Sequence, residues 1–388
     1  MLPNSATVAK TRNASVLIIM PCQFRRIEIR SMNIRLIEAN QRPNIAAMSK
    51  DKAMATKRLT LDEIEALAHD ALLAAGAQET AAASVARSTR AAERDGIRSH
   101  GLLYIPIYAE HLRCGKVDAA AVPSVAQPRP ASIRVDAAHG FAHPAIDAGW
   151  GAFTTAARQC GVAALTLHRS YNCGVLGHHA ERLAEAGLIG LCFTHAPASI
   201  APTGGQVPVI GTNPFAMAVP DGAGGALLVM DQTASVIAKS EVLLRAREER
   251  SLEPGWALDA AGQPTTDANA ALRGSMVPVG GHKGFGIGLM VEILAAALSG
   301  ANLSAEASPF SGTTGGPPGT GQCFLAFDPA GFANAGFAAS MQRLAHSITR
   351  QSGARLPGAR RMSMRKRTET EGVDVDEALL AKISGQNP

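Results

Sequence analysis

The chain has 388 residues, of which 46% are hydrophobic, 18% charged and 4% aromatic. At about 150 residues per domain that length suits two to three domains, or one large α/β body with an added part, and the composition excludes wholesale disorder. No apolar run approaches the roughly 18 to 20 residues of a membrane span, the longest near the start being Val16 to Met20, so the chain reads as a soluble, cytoplasmic protein with no membrane partner. The formal charge of +5 does not describe a nucleic-acid surface. Eleven of the 37 Lys/Arg but only three of the 32 Asp/Glu fall in residues 1–58, which leaves 26 basic against 29 acidic residues in the rest. Without aromatic residues interleaved among the basic ones, no nucleic-acid partner is expected. The six cysteines form no C-x-x-C pair, which fits reduced thiols in a cytosolic enzyme.

Residues 1–57 have no sustained period and contain Met32, Met48 and Met54; they read as a disordered leader or a mis-assigned start, with the folded chain beginning near Leu59. Thr60 followed by Asp62 and Glu63 gives a helix N-cap, and Ile64, Leu67, Ala71 and Leu72 keep helical spacing behind it. A second helix spans Glu79 to Arg94. Strands are predicted over Ser132 to Asp136 and Val162 to Leu167, with an Ala-rich helix from Ala145 to Cys160 between them. A helix over Gly177 to Ala186 then leads into strands Ile189 to Thr194, Ala216 to Val219 and Ala226 to Met230. Residues 284–299 make an apolar helix with one carboxylate, Glu292. A strand from Gln322 to Phe327 precedes a helical C-terminal region.

The dinucleotide fingerprint G-x-G-x-x-G is missing, so any nucleotide is bound without the Rossmann solution. What remains is Gly280-Gly-His282-Lys283-Gly284 ahead of a helix, either a structural helix start or a place for anionic groups. In Arg98-Ser99-His100-Gly101 the imidazole suits proton transfer near neutral pH, and Ser99 either orients it or caps the next helix. His139, His143, His178 and His179 have no Cys or carboxylate at ligand spacing, so no metal is expected. Pro202 to Gly205 and Gly211 to Pro214 read as tight turns, where Thr212 and Asn213 offer side chains suited to a carboxylate. From Pro329 to Thr368 there is no acidic residue and there are eight basic ones, a solvated surface or an anion site.

Ser99-His100-Gly101, Asn172-Cys-Gly, Ala201-Pro-Thr-Gly-Gly, Gly211-Thr-Asn-Pro-Phe-Ala, Asp231-Gln-Thr-Ala-Ser and Gly281-His-Lys-Gly-Phe-Gly occur in the order that resembles the malate/L-lactate dehydrogenase-like oxidoreductases, over about residues 59 to 385. The resemblance implies an α/β, non-Rossmann fold. Its central, largely antiparallel NAD(P)-binding domain would cover residues 131–329, and a helical, substrate-side domain would come from 59–130 and 330–385. It also implies a homodimer that uses NADP, or NAD, to move a hydride at the carbon beside a carboxylate of a small-molecule substrate.

By the same resemblance His100 matches the catalytic proton donor, Ser99 its neighbour and Glu241 its acidic partner. Asn172, Cys173, Gly174, Val175 and Leu176 match nucleotide-contacting positions, as do Asp231, Gln232, Thr233, His282 and Lys283. Arg355, Gly358, Arg360 and Arg361 match a C-terminal loop that approaches the nucleotide in NADP-using members, where guanidinium groups can pair with a 2′-phosphate. Tyr104, Thr212, Lys239 and Ser240 match substrate-side positions. Tyr104 stands where the reductases of Δ1-piperideine- and Δ1-pyrroline-2-carboxylate have an Arg, and Glu241 where they have an Asp. The stretches Tyr104 to Lys116 and Ser170 to Gly177 look closer to the sulfolactate and 2-hydroxy-acid branch. A 2-hydroxy/2-oxo acid of malate, lactate or sulfolactate type is therefore expected, with the cyclic imines as the alternative.

Overall fold

Thr60 starts the first helix through a capping box. Its hydroxyl accepts from the Glu63 N–H at 3.2 Å, and the Glu63 carboxylate accepts the Thr60 N–H at 2.7 Å. The computed structural model describes residues 55–333 and 336–385; of the leader read over residues 1–57, residues 1–54 lie outside them. In chain order the elements are β1 (Thr56–Leu59), α1 (Leu61–Ala74), α2 (Glu79–Arg94), α3 (Ile105–Arg113), β2 (Ser124–Arg129), β3 (Ser132–Asp136), α4 (Ala142–Cys160) and β4 (Val162–Ser170). Next come α5 (Leu176–Glu185), β5 (Ile189–Thr194), β6 (Phe215–Pro220), β7 (Ala226–Gln232), α6 (Lys239–Arg247), β8 (Ala257–Leu258), β9 (Pro264–Thr265), α7 (Ala268–Arg273) and β10 (Ser275–Met276). The rest are α8 (His282–Glu292), β11 (Thr320–Phe327), α9 (Gly336–Thr349), α10 (Ala359–Glu371), β12 (Val373–Asp376) and α11 (Glu377–Ile383).

The central sheet has seven strands in the order β2-β3-β4-β11-β5-β6-β7. Only β3 and β4 run parallel, with α4 as the crossover between them; every other neighbouring pair is antiparallel. Alternation along β5 and β11 buries both faces. Cys192 and Phe324 point to the side of α4 and α5, whose Ile146, Phe153, Ala180 and Leu183 complete that core. Phe193 and Cys323 point the other way, onto Val291 and Ala295 of α8 and its π-helical continuation Ile293–Ala297.

A second core joins the two ends of the described residues. Ile64, Leu72, Val85, Ile105 and Tyr108 pack there with Val373, Val375 and Ile383, and β1 pairs antiparallel with β12, Leu59 opposite Val373. Strand β1 was not read from the sequence, because Thr56, Lys57 and Arg58 are exposed and carry no apolar alternation. Strand β2 is likewise exposed along its length, and it joins the central sheet as an edge strand on β3. A small third core, including Ile200, Ile210, Val242, Leu252 and Met276, gathers around the two-residue strands β8, β9 and β10.

Candidate active site

Helix α2 ends at Arg94, and after Gly96, at φ +73°, the chain makes two short 3-10 turns, Arg98–His100 and Leu102–Tyr104. Ser99 Oγ lies 3.0 Å from His100 Nδ1. The Tyr104 ring is parallel to the imidazole within 7°, at 6.5 Å between centroids, and Tyr108 follows at 4.7 Å from Tyr104. Burial pulls the His100 pKa below its ordinary value; the charge of Asp231 opposes that shift and His178 reinforces it. Burial pushes the Tyr104 hydroxyl up to about 12, so it stays protonated.

The segment from Asn172 to Leu176 lies next to this turn. Tyr108 donates its hydroxyl hydrogen to Asn172 Oδ1 at 2.8 Å, and the same oxygen accepts the Gly174 N–H at 3.1 Å. Gly174 has φ +69°, and a Cβ there would meet Ser88 Oγ at 2.8 Å and His143 Nε2 at 3.0 Å. Cys173 is buried, its thiol pushed up to about 12 by burial, and its carbonyl oxygen is 2.9 Å from His179 Nε2. Val175 is the N-cap of α5 and offers no side-chain cap.

That helix start is where other residues matched to the nucleotide by resemblance meet. Asp231, at the end of β7, accepts from the Gly177 N–H at 3.0 Å and from Arg361 Nη2 at 3.1 Å. Arg361 Nη1 is buried and has no partner among the described residues. Gly358, at φ +87°, lets the C-terminal loop run against β7, where Val229 donates its N–H to the Pro357 oxygen at 3.2 Å. Arg355 and Arg360 are exposed and line a surface depression with Gly353, Leu356 and Pro357.

Beyond Asp231, Gln232 is exposed and Thr233 bonds the Ser235 oxygen at 3.1 Å, closing a local turn. The loop before α8 is tied to this turn, with the Val279 N–H on the Ala234 oxygen at 2.8 Å. His282 and Lys283 therefore stand exposed at the start of α8 beside it. The Thr212 oxygen accepts the Ala234 N–H at 2.8 Å, Lys239 Nζ donates to Ser199 Oγ at 3.0 Å, and Ser240 is exposed. Asn213, fully buried at φ +41°, donates to the Gly288 oxygen at 2.9 Å and to Glu292 at 2.8 Å, so the turn uses that amide internally.

Glu241, matched by resemblance to the acidic partner of His100, has another partner on its own helix. Its carboxylate is taken up by Arg245 at 2.9 Å, one turn along α6, and Arg245 in turn lies over the Trp256 ring. The carboxylate whose charge acts on His100 is Asp231. Sequence reasoning also passed over Glu93, Asp95 and Tyr108, and weighed His178 only as a metal ligand; all four contact these segments. The acidic pair just ahead of Ser99-His100-Gly101 was the available signal.

The family described as malate/L-lactate dehydrogenase matches residues 59–384 of this chain. The chain belongs to that family. As a malate/L-lactate dehydrogenase family member it is an oxidoreductase, and its Ser99-His100-Gly101 and Asn172-Cys-Gly motifs fall on the turn and just ahead of the helix start described above. Among similar family proteins, a (2R)-3-sulfolactate dehydrogenase (NADP(+)) of Chromohalobacter salexigens is 42% identical over 84% of this chain and 97% of its own length. A Δ1-pyrroline-2-carboxylate reductase of Ancylobacter novellus is 40% identical over 85% of this chain and 98% of its own. The solved structure of Δ1-piperideine-2-carboxylate reductase from Pseudomonas syringae superposes with a TM-score of 0.81 at 35% identity, covering 86% of this chain and all of that one.

Proposed function

We propose that this chain is an NADP-dependent, cytoplasmic, homodimeric oxidoreductase of 2-hydroxy/2-oxo acids, with His100 as proton donor in reduction and acceptor in oxidation. The observation that carries this reading is the Ser99–His100 contact on a turn that meets Tyr104, Asp231 and the start of α5. When bound, the nicotinamide supplies or takes the hydride at the carbon beside the carboxylate.

The Ser99 hydroxyl can accept from Nδ1–H both of the neutral ring, in the tautomer with a bare Nε2, and of the charged one. It thus stays bonded in both states and leaves Nε2 as the atom that exchanges the proton. Asp231 stabilises the charged ring. Arg355 and Arg360, exposed on one depression, suit a 2′-phosphate, and Arg361 with its unpartnered Nη1 fits an anionic group at the start of α5. The segment Asn172 to Leu176, with Gln232, Thr233, His282 and Lys283, completes the nucleotide side. Thr212, Lys239 and Ser240 hold the substrate carboxylate.

Tyr104 favours an open-chain acid over an imine, because its neutral ring lies parallel to His100 where an imine reductase presents a cation. The second reading, reduction of the cyclic imines, is supported by the 40% identity to a pyrroline-carboxylate reductase. A panel of 2-oxo acids, sulfopyruvate and the two imines, followed through the absorbance of NADPH, separates them: turnover of an open-chain acid upholds the first reading, and turnover of imines alone overturns it. The dimer is supported by Leu289, Met290, Ile293 and Leu298, which leave α8 and its continuation 43% to 62% exposed at large apolar side chains. No helix among the described residues is long and apolar enough to cross a membrane.

A further inference from the structure

The last turn of α2 presents two enclosed carboxylates that the proposed reaction does not use. Glu93 is 4% exposed, and its Oε1 accepts the Leu102 N–H at 2.8 Å. Gly101 leaves room for this contact, since a Cβ at that position would stand 2.1 Å from the Glu93 oxygen. The glycine of Ser99-His100-Gly101 is thus explained by a carboxylate that grips the turn from behind. Burial raises the Glu93 pKa, against the Leu102 bond that lowers it.

Asp95 caps α2, and its side chain is fully enclosed. It accepts from Arg94 Nε at 3.0 Å, is 3.0 Å from His178 Nε2, and receives Arg365 Nε and Nη2 at 2.9 Å each. Arg365 extends the same fork to both oxygens of Glu181, again at 2.9 Å. His178 and Glu181 lie on α5, just behind Leu176 and Gly177, and Arg365 lies on α10, one turn past Arg361. Enclosed ion pairs lose about as much to desolvation as they regain, so stability is a weak account of this network. Two bidentate contacts of one guanidinium specify geometry instead.

We propose that Glu93 and Asp95 are positioning residues with separate tasks: Glu93 sets the turn that carries His100, and Asp95, through Arg365 and His178, sets the register of that turn against α5 and α10. The proposal rests on the reading of His100 as proton donor and of α5 and α10 as the nucleotide side. It predicts that one carboxylate governs turnover alone and the other governs nucleotide binding as well.

The test uses the full chain with E93L, E93Q and D95N, and reads the NADPH dissociation constant from cofactor fluorescence, kcat and KM on a substrate of the wild type, and the melting temperature. E93L removes the acceptor for Leu102; kcat falls about tenfold or more while the NADPH constant stays within about twofold, and E93Q, which keeps an acceptor, recovers most of the loss. D95N weakens NADPH binding about tenfold and lowers kcat as well. If D95N does not fold, R365M removes the other half of the contact and must weaken NADPH binding in the same way. Variants that melt earlier but keep wild-type kcat and NADPH affinity overturn the proposal, as does an E93Q no better than E93L. The NADPH constant needs no turnover, so an error in the substrate reading leaves the Asp95 test intact.

Discussion

Arg361 Nη2 stands 3.1 Å from Asp231 Oδ2, and the Gly177 N–H donates to the same oxygen at 3.0 Å. Three segments far apart in sequence meet at this carboxylate: the start of α5, the end of β7 and the start of α10. Gly177 is required there by space, because a Cβ would lie 2.5 Å from Arg361 Nη1 and 2.7 Å from Asp231 Oδ2. Gly177→Ala is expected to raise the KM for NADPH about tenfold while leaving the fold intact, since Ala is the better helix former. Steady-state titration of NADPH, with circular dichroism beside it, checks both halves.

Arg355 and Arg360 give the nucleotide preference a separate handle. Charge-assisted hydrogen bonds are worth roughly 1.5 to 3 kcal/mol. The double change Arg355→Gln, Arg360→Gln is therefore expected to cut the ratio of kcat/KM for NADPH over NADH by at least about tenfold, with the NADH value nearly unchanged. An unaltered ratio would remove the 2′-phosphate role from this loop.

Much of the central sheet was legible in the chain, and the reason is physical. Ser132 to Asp136 and Ile189 to Thr194 carry apolar residues that the two faces of the sheet require, and their predicted bounds are those observed. β1 and β2 escaped because their side chains are exposed and their pairing is carried by backbone bonds to β12 and β3. The third core escaped because two-residue strands leave no period. In the site, Ser99 and His100 stood out by chemical type, whereas Glu93 and Asp95, acids at the end of a helix, carry no such mark. Only the return of α10 and α5 to the end of α2 shows what those acids hold. For Glu241 the converse holds: a match of motif does not reveal that Arg245, one turn on, pairs with the carboxylate.

The depressed pKa of His100 has a defined sign in kinetics. Oxidation needs the neutral ring as acceptor, so kcat/KM for oxidation is lost as pH falls through the His100 pKa, with a midpoint below the ordinary 6.5 of imidazole. Reduction needs the charged ring and declines as pH rises through the same midpoint. Asp231→Asn removes the charge that opposes burial, and both midpoints are expected to move lower. Profiles of kcat/KM against pH in the two directions, for wild type and variant, make the comparison.

Ile293 is 53% exposed on the apolar face that continues from α8. Ile293→Glu is expected to shift the chain from dimer to monomer in light scattering after size exclusion, because a carboxylate on a buried apolar interface is left without a partner. A dimer that survives this change at micromolar concentration would move the interface elsewhere.

The role of His100 is tested most directly by the rate of NADPH oxidation in His100→Gln, measured on a substrate of the wild type with the NADPH dissociation constant determined in parallel. The expected result is a fall in kcat of about 100-fold or more with nucleotide binding kept within about twofold. A variant that binds NADPH as the wild type does and turns over at a similar rate would contradict His100 as the proton donor.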